Sequence, residues 1–459
     1  MTVVLPTIAA MSRRGAAALF LSMARRRWKR HDATRIRLEN ERRLRRRRRA
    51  VVCMLQGLKL KRRTVQRTDG GWESSTLNQY VLHGDEQTFS QKFRVSKTTF
   101  AHIVHTLDAA GYVKDNTCQN TTLRMTAAFK VGVCMYYLAQ GTGGAHVMGD
   151  VASIGEATVR LYLKQFCRGV LDVLRCMYMP ARPPSAANLE RIRAEFSKRR
   201  GLRNVAMAVD GTHIPFRGGP DYRNYKGWTS ILAVAFVNSF YLFVDADVGA
   251  AGRAGDNGVL AQSWLLERIQ ENSTAWLGEH GVIAADGGAS DGGKLLLNPI
   301  PNARSPEDCW YNFCHSSTRF FVEETFGRWK NRFRFLLRES HLSHKMTTQL
   351  IYVSMILHNM CTVRKDDSVT DFDGGTDAEW TAFFEKFARE ACPTCIRRKA
   401  AFCPHVEKHV KKRLVHAKGS CEMRNSIRDQ LWADLADDEV MSEMYARAER
   451  ARNRNAHVS

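Results

Sequence analysis

Apolar residues recur along this chain with two different periods, and the change from one to the other divides it. From about Leu77 to Arg200 the spacing is helical. Phe100, Ile103, Val104 and Leu107 advance by three and four, and Ala127 to Leu138 and Val159 to Leu174 repeat the pattern. From about Asn204 the period shortens to that of strands. Val205 to Val209, Ile231 to Val237, Tyr241 to Val248 and Val282 to Ala285 are β-rich runs. The Gly/Pro loop Gly218 to Gly227 and a tight Asn238-Ser239 turn separate the first three. Helical segments are predicted at Gly258 to Ile269, Ser316 to Leu337 and Met346 to Val363.

Three strands, a helix, a further strand and closing helices describe an α/β domain with a mixed sheet, an order that suits an RNase H-like core. The predicted fold class is therefore α/β, with an RNase H-like core at 201–363 preceded by an all-α, helix-turn-helix-type region at 76–200. The second element rests on Gly144 to Arg160, where Ser153-Ile154-Gly155 separates two helical stretches and Glu156-Ala157-Thr158 opens the second. In a helix-turn-helix that second helix enters the major groove, but any αα-hairpin with a glycine turn shares the pattern.

The flanks differ in composition. Residues 1–75 form a basic arm, read as disordered or as an extended solvated helix. Residues 364–377 read as an acidic linker, because Asp366 to Asp377 is glycine-containing and poor in apolar residues. Residues 378–459 are charged and mostly helical in pattern.

The 70 basic against 46 acidic residues leave a formal charge of +24 over 459 residues. Such a field draws a polyanion and makes its binding salt-dependent, and nucleic acid is the polyanion expected. Arg25 to Arg49 holds much of the excess, yet Arg328 to Arg338 repeats the bias far from it. No apolar run reaches the roughly 18 to 20 residues of a membrane span, since Ile8 to Met23 is broken by Arg13 and Arg14. The basic cluster Arg43 to Arg49 reads as a nuclear signal, while the acid-free stretch 1–31 also fits an organellar transit peptide. The twelve cysteines form no dense secreted-type framework and read mostly as reduced thiols.

Three acids stand where chemistry is expected. Asp210 lies one step past the alternation Val205, Met207, Val209, at the predicted carboxyl end of a strand, where open α/β sheets bind ligands. Asp286 repeats that placement after Val282 to Ala285. Each is followed by glycine, and Asp-Gly is also the commonest hairpin signal. On the helix from about Ser316, Val322, Phe326, Trp329, Phe333 and Leu336 define the buried face, with Glu323 at its border. The plain alternative for Glu323 is a surface glutamate paired with a basic neighbour. Carboxylate oxygens suit a hard cation such as Mg2+, and an acidic set of this kind is what two-metal phosphoryl transfer requires.

From roughly Phe93 to Cys361 the chain resembles the Harbinger-type DDE transposases and the nucleases derived from them. The resemblance is carried by Val209-Asp210-Gly211-Thr212-His213-Ile214, then Asn224-Tyr225-Lys226-Gly227 leading into a strand. Glu323 with Thr325-Phe326-Gly327 and Lys330-Asn331-Arg332-Phe333 follows, and then Leu357-His358-Asn359-Met360. It implies a catalytic triad of Asp210, Asp286 and Glu323. Glu323 is preferred over Glu324 because the family's glutamate stands three residues before its Phe-Gly pair. It also implies Asp256 as a fourth metal ligand, from the family's acidic loop after the third strand. Two departures are visible. Gly287-Gly288-Ala289 replaces the family's Ser-Gly-Tyr, and Ala251-Gly252-Arg253 with Gly255-Asp256 replaces its Pro-Gly-Ser and His-Asp loop. His358, beside Leu357 and Met360, is read as a structural core histidine.

Outside the resemblance, Cys392-Pro393-Thr394-Cys395, Cys403-Pro404-His405 and His409 have a spacing that suits tetrahedral zinc. Cys392, Cys395, Cys403 and His409 are the expected ligands, with His405 as the other histidine; free thiols are the plain alternative. The sequence thus points to a metal-dependent DNA endonuclease using two Mg2+ or Mn2+ ions, with one structural Zn2+ in its C-terminal region. Lys226, Arg328, Lys330 and Arg332 are the candidate DNA contacts. The expected partners are DNA, a separate DNA-binding accessory protein as the resemblance implies, and a second copy of the chain. A catalytically inactive, domesticated DNA-binding protein is the alternative. An RNA target is disfavoured, because no aromatic stacking platform stands out along the chain.

Overall fold

A computed structural model of the protein describes residues 71–115, 125–141, 144–289, 295–301, 303, 306–366, 368 and 421–437. The proposed zinc ligands Cys392, Cys395, Cys403 and His409, and the arm up to residue 70, lie outside the described residues.

The helical region consists of α1 (Thr76–His83), α2 (Glu86–Phe93), α3 (Lys97–Ala109), α4 (Ala127–Gln140), α5 (Ala145–Ala152), α6 (Glu156–Gly169) and α7 (Ala186–Arg200). Side-chain oxygens of Ser75, Asp85, Ser96, Thr126 and Ser185 cap the starts of α1, α2, α3, α4 and α7, each accepting an otherwise orphaned backbone N–H. Helix α4 is buried along most of its length and forms the centre of this layer. It ends at Gly141, whose φ is +61° and where a Cβ would collide with the backbone of Arg334 and Phe335. The expected helix, turn and helix are present: α5 stops at Ser153, in the left-handed region, and α6 opens at Gly155.

The sheet has five strands, β1 (Val205–Pro215), β2 (Ser230–Val237), β3 (Phe243–Ala251), β4 (Val282–Ala284) and β5 (Leu296–Leu297), in the order β3-β2-β1-β4-β5. The first three are antiparallel neighbours, whereas β4 runs parallel to β1 and β5 parallel to β4. This is the expected mixed sheet. One expectation is corrected: β1 does not end before Asp210. Asp210 and Gly211 pair with Ala235 and Val234, so the Asp-Gly dipeptide lies within an 11-residue strand and makes no hairpin.

Both faces of the sheet are covered. On one lie α11 (Pro306–Arg332) and α12 (His344–Val363), with Phe321, Val322 and Trp329 packed against Ala208 and Ile214. On the other lie α8 (Asp256–Leu260), α9 (Trp264–Glu271) and α10 (Ser273–Leu277), against Val209 and Val234. The first core continues without a break into the helical region, so 76–200 and 201–363 share one hydrophobic interior. Helix α11 starts at Pro306, ten residues before the expected start, and a last helix, α13 (Cys421–Asp437), packs against it.

The Leu357-His358-Asn359-Met360 motif is structural. His358 Nε2 lies 2.9 Å from the Tyr241 carbonyl. Burial lowers the pKa of this imidazole to about 4, which leaves it neutral. The Asn359 carboxamide accepts from Phe243 N at 2.9 Å and donates to Phe243 O at 2.7 Å and Tyr178 O at 2.9 Å, pinning the start of β3 to the helices.

Asp366, expected at the head of a linker, belongs to the folded core. Its carboxylate accepts from Ser96 N at 3.0 Å and from Arg332 at 3.3 Å. Burial acts to raise its pKa, but hydrogen bonds from Ser368, Thr99 and Ser96 and the Arg332 charge outweigh it and hold it at about 2. Because that value is depressed, the stabilisation is present above the unfolded pKa near 4 and is lost as pH falls toward about 2. Asp366→Asn is expected to lower the unfolding free energy at pH 7 by about 2 kcal/mol. Denaturant titrations should show the two proteins converging between about pH 4 and pH 2.

Candidate active site

Register places the first two acids. In the parallel pair, Ala208 lies opposite Ala284, after which β4 ends while β1 continues. Asp210 and Asp286 each stand two residues further on, so the pairing that aligns the apolar strands brings both aspartates to the same end of the sheet. Asp210 is partly buried, and its own Gly211 N–H donates to Oδ1 at 2.9 Å. Asp286 is exposed, and its backbone carbonyl is held by Asn298 at 2.8 Å.

Helix α11 brings the third. Successive helical residues project about 100° apart, and Glu323 and Glu324 meet different surroundings. Glu324 is buried and bonded to Arg328 at 2.6 Å, whereas Glu323 is exposed beside the acids of the sheet. Arg319, one turn before Glu323, joins the two elements. Its Nη1 lies 2.7 Å from Asp210 Oδ2, and its Nη2 lies 2.6 Å from Glu323 Oε1. Sequence reasoning passed over Arg319. The available signal was its i,i+4 spacing to Glu323 on the face adjoining the sheet.

Asp256, at the start of α8, approaches β1 from the opposite face, over Gly211. A Cβ at Gly211 would collide with the Asp256 carboxyl group, and one at Gly288 with the Asn257 amide. These glycines therefore allow the first turn of α8 to sit on β1 and on the loop after Asp286.

Neighbouring carboxylates act on two of these acids, Asp210 and Asp256. Burial raises the Asp210 pKa to about 6; Arg319 and the Gly211 N–H act against this, and Glu323 and Asp256 add to it. Asp256 is raised as well, by burial first, with nearby His213 opposing and Asp286 reinforcing the shift. Burial works to lower the Arg319 pKa, but Asp210, Glu323 and Asp286 outweigh it and keep the guanidinium firmly charged. Among the described residues no three of these groups form a ready metal cage. The donor set nevertheless fits a hard divalent cation: its atoms are carboxylate oxygens, their charges are mutually unfavourable, and Arg319 is the positive charge between two of them.

The candidate DNA contacts divide into two pairs. Lys330 Nζ donates to Thr212 Oγ1 at 2.6 Å and to the His213 carbonyl at 3.3 Å, on the stretch of β1 that follows Asp210. Burial and the charge of Lys226 lower its pKa to about 8. Lys226 is exposed on the turn before β2. Arg328 and Arg332 have partners within the protein. Arg328 pairs with Glu324 and lies 4.0 Å from the Tyr241 ring centre. Arg332 is buried, donating to the Arg94 carbonyl at 2.7 Å and to Asp366, and so ties α11 to the helical region. Their side chains were read as surface charge because composition cannot show which basic residues of a helix find internal acceptors.

The fold also brings together aromatic residues that stand apart in the sequence. No platform is visible along the chain, yet the turn before β2 brings Tyr225 and Trp228 against His213. Ring centres are 5.7 and 6.0 Å apart, with interplanar angles of 64° and 76°.

Residues 209–359 match the family of the DDE superfamily endonucleases. The chain is 22% identical over 319 residues to "Protein ALP1-like" of Arabidopsis thaliana, covering 65% of this chain and 77% of that protein. It is 22% identical over 223 residues to HARBI1 of Bos taurus, named as a candidate nuclease, covering 46% of this chain and 61% of that protein. No solved structure matches. Among the described residues no helix is long and apolar enough to cross a membrane.

Asp210 carries a pH signature. Since its folded pKa is raised above the unfolded value near 4, its ionisation destabilises the fold as pH rises from about 4 to about 6. Relative to Asp210→Asn in the presence of a chelator, the wild type should lose roughly 2 kcal/mol across that window and no more above it. Denaturant titrations of both proteins from pH 4 to pH 8 measure this difference.

Proposed function

We propose that this chain, whose residues 209–359 match the DDE superfamily endonucleases, cuts DNA phosphodiester bonds with divalent metal at Asp210, Asp286 and Glu323. The observation that carries this is that Asp210 and Asp286 stand at the same end of the β1/β4 pair while Arg319 bridges Asp210 to Glu323. Asp210, Asp286 and Glu323, with Asp256 from the opposite face, would hold Mg2+ or Mn2+. When bound, such ions supply an activated water and stabilise the leaving oxygen. Lys226 and Lys330 supply positive charge for a phosphate beside the acids, and the deeper Lys330 also fixes Thr212 and β1. The sheet order and the long α11 across one face support an RNase H-like reading of the core.

We read α5 and α6 as the DNA-contacting pair. The outer face of α6 carries Arg160, Leu161, Lys164 and Arg168, all exposed. The basic arm and the C-terminal cysteine and histidine cluster keep their places as a phosphate-binding segment and a structural zinc site. The nucleus is the proposed compartment, and an accessory DNA-binding protein and self-association remain part of the proposal.

One observation favours the alternative of a silent DNA-binding protein. Arg319 already pairs with both Asp210 and Glu323, so metal must compete with an internal cation. Nicking of supercoiled plasmid with Mg2+ or Mn2+ separates the two readings. On the nuclease reading, Asp210→Asn, Asp286→Asn and Glu323→Gln each lower nicking by about a hundredfold or more, with the fold intact. Glu324→Gln instead lowers the melting temperature, by breaking a buried pair. Wild-type protein that binds DNA but never nicks it supports the silent reading.

Arg319→Gln should bind Mn2+ more tightly than wild type in titration calorimetry, since it removes the competing charge. Equal or weaker affinity would mean that the guanidinium does not compete with metal.

A further inference from the structure

The chain returns from β1 to β2 through a turn that is unusually well anchored for what it displays. Asn224 is buried, and its Oδ1 accepts from Lys226 N at 2.9 Å and Trp228 N at 3.3 Å. Its Nδ2 donates to Ser230 Oγ at 3.0 Å, and the same hydroxyl meets His213 Nδ1 at 2.9 Å. The backbone adds Asn224 N to Trp228 O at 2.9 Å and a bridge between Arg223 and Thr229. Gly227, with φ +91°, supplies the left-handed residue that closes the turn.

This rigid mount holds apolar rings out in solvent. Tyr225 is 83% exposed, the most of any large hydrophobic residue described, and Trp228 is 37% exposed. Packing gives no reason for this, since an exposed ring contributes little to a core. Around the rings the charge is positive. Lys226 Nζ is 5.4 Å from the Tyr225 ring centre, and Lys330 Nζ is fixed on Thr212 and the His213 carbonyl. Asp256 sits over Gly211 on the His213 face of β1, and Asp210 is three residues back along the same strand. Exposed rings, two ammonium groups and an acidic cluster are the separate requirements for a base, its phosphate and the bond to be cut.

We propose that Tyr225 and Trp228, backed by His213, form a nucleobase-stacking subsite. It takes an unstacked base of a single DNA strand next to the scissile phosphate, with the adjoining phosphate between Lys226 and Lys330. This rests on the reading of the chain as a DNA-cutting enzyme and names how the strand is held. A bound phosphate relieves the repulsion between the two lysines. Stacking tolerates any sequence, because every base has a π-face. A frayed or single-stranded end fits better than continuous duplex, in which the base must first be pulled from its stack.

The test uses the full chain in a chelator, so that nothing is cut. The probes are a short DNA strand carrying 2-aminopurine, the same strand in a duplex, and an RNA of the same sequence. Affinity is read by anisotropy and stacking by 2-aminopurine fluorescence. Wild type should bind the single strand more tightly than the duplex and change the probe fluorescence. Tyr225→Ala and Trp228→Ala should each weaken single-strand binding by about five- to a hundredfold, with duplex affinity changed less than twofold and melting temperature unchanged. Tyr225→Phe should restore binding, since the ring and not the hydroxyl is used. Lys226→Ala should reduce the slope of log affinity against log salt by about 0.7.

Wild-type single-strand affinity in both alanine variants overturns the proposal, as does equal loss on single strand and duplex. RNA bound as tightly as DNA overturns the choice of DNA. Nicking is measured separately with Mg2+. A protein that stacks the strand through Tyr225 but never nicks retains the subsite and loses the nuclease, and one that nicks while Tyr225→Ala binds normally does the reverse.

Discussion

The pairing of β1 with two different neighbours is the constraint on which the rest of this structure depends. On one side it runs antiparallel to β2 over its whole second half, and on the other it runs parallel to β4 for only a few residues. The short parallel pairing sets where Asp286 falls relative to Asp210. The long antiparallel pairing keeps β1 extended through Gly211, Thr212 and His213, so that alternate side chains reach opposite faces. Asp210 and Thr212 then meet Arg319 and Lys330 of α11, while Gly211 and His213 meet Asp256 and the aromatic turn. A slip of one residue would exchange these faces and turn Asp210 away from Arg319, toward the face covered by α8, α9 and α10.

The acids are arranged at a cost that the helices offset. Asp210 is held where its ionised form is disfavoured, and Arg319 supplies a counter-charge from a helix that is itself fixed elsewhere. Arg332 bonds to Arg94 and Asp366, Trp329 Nε1 donates to Ser354 at 3.0 Å, and Glu324 pairs with Arg328. The basic residues of α11 thus divide by position: some anchor the helix so that Arg319 and Lys330 can stand over β1.

Much of this was legible in the sequence. The alternation of Val205, Met207 and Val209, the acids after apolar runs, and the border position of Glu323 led to the right elements. Long-range partners were not legible. The apolar pattern of β1 stops at Val209 because the next positions serve the site, so periodicity alone ended the strand early. Asp366 looked like linker composition because its partners, Ser96 and Arg332, are distant in sequence. The ring cluster of His213, Tyr225 and Trp228 escaped notice for the same reason, since a turn and not a run of residues assembles it.

Asn359 has a consequence for how the molecule meets others. β3 is the edge of the sheet, and an edge strand offers unpaired backbone groups to any extended chain that drifts alongside. At Phe243 the carboxamide of Asn359 takes both the N–H and the carbonyl, acting as one residue of a sixth strand, and its remaining donor binds Tyr178 of the helical layer. Two residues on, the buried charge of Asp245 faces Tyr352 at 2.6 Å, a further deterrent to strand addition. A side chain on a helix therefore occupies backbone groups that the edge strand would otherwise offer to a passing chain.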